Sequence, residues 1–537
     1  MTDGDSNSVF DAFIRKELTR RQVLKGAAVM GAAAGFAPLI GACGSSSSSS
    51  SSASSPSASA TGSPKKGGTV RAGITGGSSS NTLDVTMEVT ESDAARTVMC
   101  YEALVEILAD GKLSMLLAES MTPNTDATEW IIKCRPGVTW HNGKDFGAED
   151  VMYSYNYIAK NKKNGAGFLS LVDLPGMKVM DKLTLKVPMQ VPYSTFIQVQ
   201  PTWFLPIIPV GYEPNKPNGT GPFKITGFSP QQTVFERYPD YWKSPMPYLD
   251  KVIMIEYQDT TSMVNALLGG QLDTISLLQS DEIPTLQSQG KKVVIAPGGG
   301  MNPFTMNTQV APFNDVRVRQ AMRLLIDRPQ MLELVFKGNG TLGNDVSSIW
   351  DPAYNTAMPQ RAQDVEQAKS LLKQAGRDGY AFELVTADIA MGVVNTAQVF
   401  AQQAKAAGVT VNLRKTTVTD FYGPEFLKYP FAFDYWGFQY YLPQVASELL
   451  PNSPYPESHW NDPRTNKLYK QALATVDEAK RTDIAHEMQQ IDHDEGGLMI
   501  PYFPPVIDGY NPNLQGVIPS KIGASWNNFD FKSYWLS

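Results

Sequence analysis

The sequence predicts an α/β protein with two α/β lobes and a third, mostly separate element. Two strand–helix–strand patterns lie far apart in the chain, over residues 252–277 and 382–413. A hairpin-rich stretch, residues 130–150, belongs to neither pattern. Because parallel strands need a helical crossover, each pattern indicates one α/β lobe, and the hairpin stretch indicates a third, mostly separate element.

Size, charge and composition exclude several functional classes. The chain has 537 residues, which is too many for one compact domain. Its net charge of -7 argues against a nucleic-acid partner. His486 and His493 lie seven residues apart on a predicted helix and could form a metal face, but the pattern favours a solvated charged helix face. We predict no metal and no cofactor.

Two cysteines of the predicted body, Cys100 and Cys134, allow two interpretations. The chain has only three cysteines in all, too few for a disulfide scaffold. The two could pair outside the cytoplasm, where disulfides persist. They could equally be two buried thiols, because free cysteine is among the most buried residue types.

The first 42 residues are predicted to be an export signal. The stretch TRRQVLK holds Arg20 and Arg21 and is typical of a twin-arginine signal. A weakly apolar segment, residues 26–40, follows it, and Ile-Gly-Ala then precedes Cys43. This order resembles a lipoprotein box, so we predict that Cys43 is lipidated and becomes the first residue of the mature chain. The alternative is a signal cut beside a chance cysteine.

Residues 43–65 are predicted to be a Ser-rich tether. Their composition of Ser, Ala, Pro, Gly and Thr cannot bury apolar surface, so we expect disorder. No later segment is long and apolar enough to cross a bilayer. The chain is therefore expected to be exported and held by its lipid on the outer face of the cytoplasmic membrane, at the cell surface or in the periplasm.

A dense aromatic run occupies residues 421–443, FYGPEFLKYPFAFDYWGFQYYLP. Eleven of its residues are aromatic, and only three carry charge. One interpretation is a core strand with aromatic side chains on both faces. The other is a ligand wall, where flat rings supply contact area and a few polar groups fix orientation. Glycines and prolines interrupt the run, which a long buried strand would tolerate poorly.

A second candidate site follows the first predicted strand, residues 69–74. The strand runs into glycines and hydroxyl side chains, and Gly76, Gly77 and Asn81 are our candidates for ligand contact. A strand that ends in this way leaves backbone donors free at its carboxyl end, where open α/β sheets bind ligands.

An ordered set of motifs identifies a family resemblance. The chain contains GTGPF at 219–223, YPDYW at 238–242, PYLDKV at 247–252 and PFNDVRVRQAMRLLIDR at 312–328. In this order, over about residues 66–537, they resemble the family 5 extracytoplasmic solute-binding proteins of ABC importers, which include dipeptide-, oligopeptide- and nickel-binding proteins.

The resemblance implies a type II periplasmic-binding-protein fold and a division into domains. Lobe I would comprise residues 66–104, 212–303 and 500–537. Residues 105–211 would form the inserted domain, and residues 304–499 would form lobe III. The lobes would close over a ligand by a hinge motion.

The resemblance also implies a function without catalysis. The protein would act as a monomer, capture a small solute such as a peptide or oligosaccharide, and deliver it to an ABC permease and ATPase complex. Its only contact with the membrane itself would be the lipid anchor. Two alternatives remain, a sensor that presents its ligand to a receptor and a secreted enzyme on a similar scaffold.

The aromatic run would supply the ligand-binding loop, with Asp434, Trp436, Gly437, Phe438, Gln439 and Tyr440 as candidate contacts. In peptide-binding relatives, a Trp-x-x-Asp segment ending in Asp-Pro holds the free α-amino group of the peptide. Here Gln439 and Leu442 stand where the two acids would be. We therefore hypothesise that the free N-terminus of a peptide is not the selected feature, since an unpaired buried ammonium is costly. The alternative is that Asp434 takes the ammonium.

Overall fold

The computed structural model describes residues 62–77, 81–88 and 90–537. The predicted export signal with Arg20 and Arg21, the lipidation candidate Cys43 and most of the predicted tether lie outside the described residues. Across the described ranges, no helix combines the length and the apolar character that a membrane crossing needs.

The elements alternate between strands and helices along much of the described chain. The strands are β1 Thr69–Thr75, β2 Val105–Ile107, β3 Leu113–Met115, β4 Ala118–Pro123, β5 Glu129–Cys134, β6 Lys178–Asp181, β7 Thr184–Pro188, β8 Phe223–Ser229, β9 Gln232–Arg237, β10 Lys251–Tyr257, β11 Thr274–Ile275, β12 Lys292–Ala296, β13 Phe304–Met306, β14 Thr341–Leu342, β15 Ala381–Thr386, β16 Thr410–Lys415, β17 Phe431–Phe433, β18 Leu498–Met499, β19 Tyr502–Phe503, β20 Val506–Tyr510, β21 Leu514–Gln515 and β22 Trp535–Leu536. The α-helices are α1 Glu91–Cys100, α2 Ala148–Lys160, α3 Phe196–Val199, α4 Thr260–Leu268, α5 Ile283–Ser288, α6 Val316–Leu324, α7 Arg328–Phe336, α8 Val365–Gln374, α9 Val393–Ala404, α10 Val418–Phe421, α11 Tyr441–Gln444, α12 Pro463–Ala474 and α13 Glu478–Glu495.

The first large sheet has seven strands in the order β12-β20-β11-β1-β10-β9-β8. Strand β1 runs parallel to β10 on one side and to β11 on the other. Its side chains Val70, Ala72 and Ile74 are fully buried, which confirms the strand predicted from their alternation. The pattern over residues 252–277 is also confirmed, as β10, α4 and β11. The carboxyl ends of these parallel strands meet at one edge of the sheet.

The second large sheet has five strands in the order β16-β15-β17-β13-β18. Strand β15 runs parallel to both β16 and β17, and α9 connects β15 to β16 as the pattern over residues 382–413 predicts. Asp315 and Asp364 start helices α6 and α8, because their carboxylates accept the N–H groups of Arg317 and Gln367. The mixed α/β architecture confirms the predicted fold class.

A third sheet, β4-β5-β7-β6, is fully antiparallel. We call residues 118–199, which carry this sheet with α2 and α3, the inserted unit. Its core contains Trp130 and Tyr155, whose rings meet that of Phe196 edge-on at centroid distances of 5.8 and 6.1 Å. The hairpin-rich stretch predicted a separate element here. The domain boundaries at residues 104, 211, 303 and 499 stay predictions.

The chain connects the first sheet to the second through two short segments. Residues 297–303 lead from β12 to β13, and residues 500–505 lead from β18 to β20. Glycines 298 to 300 lie in the first segment, where a Cβ atom would overlap a neighbouring backbone, namely that of Pro504, Ile522 and Trp436 respectively. The two connections therefore lie close to other backbone segments, and a hinge between the lobes would have to bend here.

Candidate functional site

The candidate site lies where the connection 297–303 meets the loop after β17. Met301 and Trp436 exchange both backbone hydrogen bonds, at 2.9 Å from Met301 N to Trp436 O and 2.8 Å from Trp436 N to Met301 O. Strand β17 is parallel to β15, so the loop leaves the carboxyl edge of the second sheet. Open α/β sheets bind ligands at such edges.

In the first half of the aromatic run, residues 421–433, the side chains of Phe421, Tyr429, Phe431 and Phe433 are buried in the core. Phe431 and Phe433 are fully buried on β17, and the Phe433 ring stacks on that of Phe304 at 4.0 Å between centroids. Phe421 is fully buried beside them, and the Tyr429 hydroxyl donates to the Phe421 carbonyl at 2.9 Å. The core-strand interpretation therefore holds for this half of the run.

The second half, residues 435–441, is a loop in which the Trp436 side chain is only partly buried. The Trp436 ring meets that of Tyr455 edge-on at 5.7 Å. Its indole N–H is buried and finds no acceptor among the described residues. Gly437 is exposed, and a Cβ atom there would meet no heavy atom within 4 Å. A buried polar donor beside open space is what a ligand wall requires.

Three further candidates in this loop have fixed positions. The Phe438 and Tyr440 rings are in contact at 5.4 Å, and the Tyr440 hydroxyl donates to the Gly111 carbonyl at 2.8 Å. Gln439 is half-buried, and its Oε1 accepts a hydrogen bond from the Ser447 hydroxyl at 3.1 Å. The loop is thus held both to its own lobe and to the turn between β2 and β3.

Two buried carboxylates hold Tyr441 at the end of the loop. Its N–H donates to Asp351 at 2.7 Å, and its hydroxyl donates to Asp492 at 2.6 Å. Burial raises the pKa of Asp351 and raises the pKa of Asp492 to about 7. Sequence reasoning did not connect either acid with this loop, since Asp351 is 90 positions away from Tyr441 and no motif marks it.

Asp434, the acid considered as an ammonium partner, is buried before the loop begins. Its Oδ1 accepts the Tyr422 hydroxyl at 2.6 Å and the Tyr435 N–H at 2.8 Å. Burial, and then the neighbouring Asp434 charge, raise the pKa of Tyr422 well above its ordinary value. One oxygen of Asp434 therefore already orders the polypeptide around it.

The candidate residues after β1, namely Gly76, Gly77 and Asn81, already have hydrogen-bond partners within the protein, contrary to the sequence expectation. The Gly76 N–H donates to the Tyr257 carbonyl at 2.8 Å, and the Gly77 N–H donates to Glu256 Oε2 at 2.5 Å. The Asn81 amide donates to the same oxygen at 2.6 Å. The expectation of free backbone donors here was wrong, because the carboxylate of Glu256 and the neighbouring strand β10 use them. Residues 78–80 lie outside the described part of the chain.

Cys100 and Cys134 are both free thiols and both buried. The disulfide considered for them is not formed in this structure. Cys100 Sγ instead lies 3.9 Å from His141 Nδ1, and burial raises the pKa of each thiol to about 12. The two residues are therefore apolar core side chains here.

The histidines considered as a metal face lie on α13. His493 Nδ1 is 2.7 Å from Asp494 Oδ1, and the Arg361 guanidinium donates to the His493 carbonyl at 2.6 Å. Burial, and then the Arg361 charge, lower the pKa of His493. No group of three His, Cys, Asp or Glu side chains suited to a metal ion occurs among the described residues.

Two surface depressions lie away from the Trp436 loop. One, of about 440 Å³, is lined by Asp315 and Arg377, and the other, of about 400 Å³, lies between α7 and α9. None of their lining residues belongs to the Trp436 loop. We place the candidate site at the loop because three features meet there. They are the connection 297–303 between the two sheets, the Trp436 indole N–H without an acceptor among the described residues, and the open space at Gly437.

Comparisons with known protein families match most of the chain. The family described as "Bacterial extracellular solute-binding proteins, family 5 Middle" matches residues 112–455. The family described as "TAT (twin-arginine translocation) pathway signal sequence" matches residues 17–37.

Curated relatives are distant in sequence. The glutathione-binding protein GsiB of Escherichia coli strain K12 is 24% identical over 467 residues, covering 80% of this chain and 89% of that protein. The glutathione-binding protein GsiB of Pectobacterium atrosepticum is 23% identical over 298 residues, and that alignment spans only 55% of the relative and 51% of this chain.

Solved structures share the fold. The substrate-binding protein CtaP of Listeria monocytogenes has a TM-score of 0.77 at 20% identity, covering 88% of this chain and 100% of that one. DppA of Helicobacter pylori, in complex with the peptide STSA, has a TM-score of 0.72 at 19% identity and covers 88% of this chain and 98% of that one.

Proposed function

Because the chain belongs to the family 5 bacterial extracellular solute-binding proteins, with the fold of the type II periplasmic binding proteins, we propose that it captures a small peptide-like or similar organic solute. The solute would bind at the Trp436 loop and pass to an ABC permease and ATPase complex. The single observation that carries the location is the buried indole N–H of Trp436, which has no acceptor among the described residues and lies beside Gly437.

A binding role also agrees with the state of the nearby titratable groups. An enzyme needs acids and bases that converge on one reacting atom. Here Asp351 and Asp492 accept hydrogen bonds from Tyr441, and Asp434 accepts them from Tyr422 and the backbone of Tyr435. The carboxylates around the loop therefore support its shape, and we propose no chemical step.

The proposed location of the protein rests on the export signal at residues 17–37. The twin-arginine match supports export by that route, and the family is extracytoplasmic. We propose in addition that Cys43 carries the lipid that anchors the protein. Cys43→Ser should release the protein into a soluble fraction, with Cys100→Ser as the matched control. Full membrane retention of the Cys43 variant would contradict the anchor, and loss of export on replacing Arg20 and Arg21 by Lys is expected independently.

The solute is proposed to be recognised without a carboxylate at position 439. The half-buried Gln439 offers an amide, whose Oε1 already accepts from Ser447. An amide can donate and accept but offers no charge to an ammonium. A neutral ligand, a blocked peptide or a cation held by another acid therefore fits better than a peptide selected through its free N-terminus.

Titration calorimetry with a tripeptide and its N-acetylated form tests this part of the proposal. We expect similar affinities for the two forms, or tighter binding of the acetylated one. Strong binding of the free tripeptide that is lost on acetylation would contradict it.

A thermal-shift screen tests the wider proposal. Its panel would hold peptides, glutathione, oligosaccharides, polyamines and chelated metals. We expect a peptide-like or related organic compound to raise the melting temperature and Trp436→Ala to reduce that rise. If no compound stabilises the wild-type protein, or if Trp436→Ala leaves the rise unchanged, the proposed site is wrong.

A further inference from the structure

The inserted unit makes a polar contact with a helix on the side of the second sheet. The Ser194 N–H donates to the Leu473 carbonyl at 2.8 Å, and the Ser194 hydroxyl donates to the Ala472 carbonyl at 2.9 Å. Ser194 and Ala472 are 278 positions apart in sequence. The N–H and the hydroxyl of Ser194 therefore both donate to the C-terminal end of one helix.

The accepting carbonyls belong to the last turn of α12. The last four carbonyls of a helix have no partner within the helix and must find donors elsewhere. The Thr475 N–H reaches the Ala472 carbonyl at 3.1 Å and the Thr475 hydroxyl donates to the Gln471 carbonyl at 2.7 Å, while Ser194 donates to the Ala472 and Leu473 carbonyls from outside the helix. The contact is thus a helix C-terminal cap provided by a distant part of the chain.

We call the first sheet with the inserted unit one half of the molecule and the second sheet with α12 and α13 the other, and the two partners belong to different halves. In the inserted unit, the Tyr193 N–H donates to the Ala127 carbonyl at 2.9 Å, and the Trp130 indole donates to the Tyr193 carbonyl at 3.1 Å. On the other side, α12 packs on α13, which leads into β18 of the second sheet. A relative motion of the two halves would have to break or form the Ser194 contact.

The contact is buried and has an apolar surround. Ser194 is 4% exposed, Leu473 2% and Ala472 0%. Tyr193 of the inserted unit and Tyr469 of α12 belong to the same continuous core cluster. Separation of the halves would therefore expose apolar surface as well as two donors and two acceptors, which favours the joined arrangement.

We infer that Ser194 and the end of α12 form a latch, through which the inserted unit holds the two halves of the cleft together and raises solute affinity without touching the solute. This inference rests on the proposed function, because it assumes that binding accompanies closure. It gives the inserted unit a role in retention, since a ligand gains affinity from any contact that is present only in the closed state.

Single-molecule energy transfer tests the latch without a ligand. Dyes would be placed on Lys178→Cys of the inserted unit and Lys467→Cys of α12, both exposed, in a Cys43→Ser background. Cys100 and Cys134 are buried and should label poorly. We expect Ser194→Ala to lower the ratio of joined to separated molecules about five- to tenfold, the effect of one lost buried hydrogen bond.

The matched control is Ser170→Ala. Ser170 lies in the same inserted unit, but its hydroxyl donates to the Gly167 carbonyl within that unit. This variant should leave the ratio unchanged. Ser194→Pro removes the backbone donor as well and should shift the ratio further. If both Ser194 variants show the wild-type distribution, or if Ser170→Ala shifts it equally, the latch is overturned.

Calorimetry with glutathione and with trialanine separates the latch from the proposed function. If the wild type binds a probe, Ser194→Ala should bind it about five- to tenfold more weakly. Equal affinity, with an equal loss of melting temperature in free and bound protein, would make Ser194 a purely structural residue. If the wild type binds neither probe, the peptide-like solute is contradicted, while the energy-transfer ratio still decides whether the latch exists.

Discussion

The two halves of the aromatic run, residues 421–433 and 435–441, share a composition but differ in how their backbone is paired. In the first half, β17 is hydrogen-bonded to β13 and β15, and its rings fill the core of the second sheet. In the second half, the backbone of Trp436 pairs only with Met301 among the described residues, and the exposed Gly437 follows it. Aromatic density thus does not separate the core part of the run from the proposed binding wall, whereas continued strand pairing does.

The largest expected difference between the halves is in stability. Phe433→Ala should lower the free energy of unfolding by about 3–5 kcal/mol, because it removes a fully buried ring that stacks on Phe304. Phe438→Ala, in the partly exposed half, should cost much less. Urea denaturation of both variants measures the difference. Equal losses of unfolding free energy in the two variants would mean that the two halves of the run do not differ in their contribution to the core.

An effect of intermediate size on stability is expected from pH, through Asp492, which accepts the Tyr441 hydroxyl at the end of the loop. Asp492 has its pKa raised to about 7 in the folded protein, against an ordinary value of 3.8, mainly by burial. The folded state therefore holds a proton that the unfolded state has lost between about pH 4 and pH 7. Its contribution to stability is greatest below this window and falls as the pH rises through it.

Asp492→Asn isolates this contribution, because the amide can still accept from the Tyr441 hydroxyl but does not titrate. Other buried acids with raised pKa values also lower the stability of the protein as the pH rises. The measured quantity is therefore the difference in stability between the wild type and the variant. Denaturation between pH 4 and pH 8 should show a steeper fall in the wild type than in the variant. Parallel curves would mean that Asp492 is not the group responsible.

The strands, helices and caps were predictable from local pattern, whereas most contacts of the site were not. Val70, Ala72 and Ile74 alternate in sequence and are buried as that alternation requires. By contrast, the Tyr440 hydroxyl finds the Gly111 carbonyl 329 positions away, and Glu256 occupies the donor of Gly77 from 179 positions away. Such partners depend on how the sheets are placed relative to each other, and no spacing in the sequence encodes that placement.

The smallest expected effect is also the most specific test of the comparison, because one hydrogen-bond donor is removed from each half. Trp436→Phe keeps a ring but deletes the indole N–H that has no acceptor in the described part of the chain. Stability should hardly change, and solute affinity should fall by about 0.5–1.5 kcal/mol if the N–H donates to the solute. Tyr429→Phe deletes the hydroxyl that donates to the Phe421 carbonyl at 2.9 Å, so it should reduce stability by a similar amount and leave affinity unchanged. Calorimetry and denaturation on both variants give a crossed pattern if the two halves differ as described. Loss of stability in Trp436→Phe with unchanged affinity would instead assign Trp436 to the core.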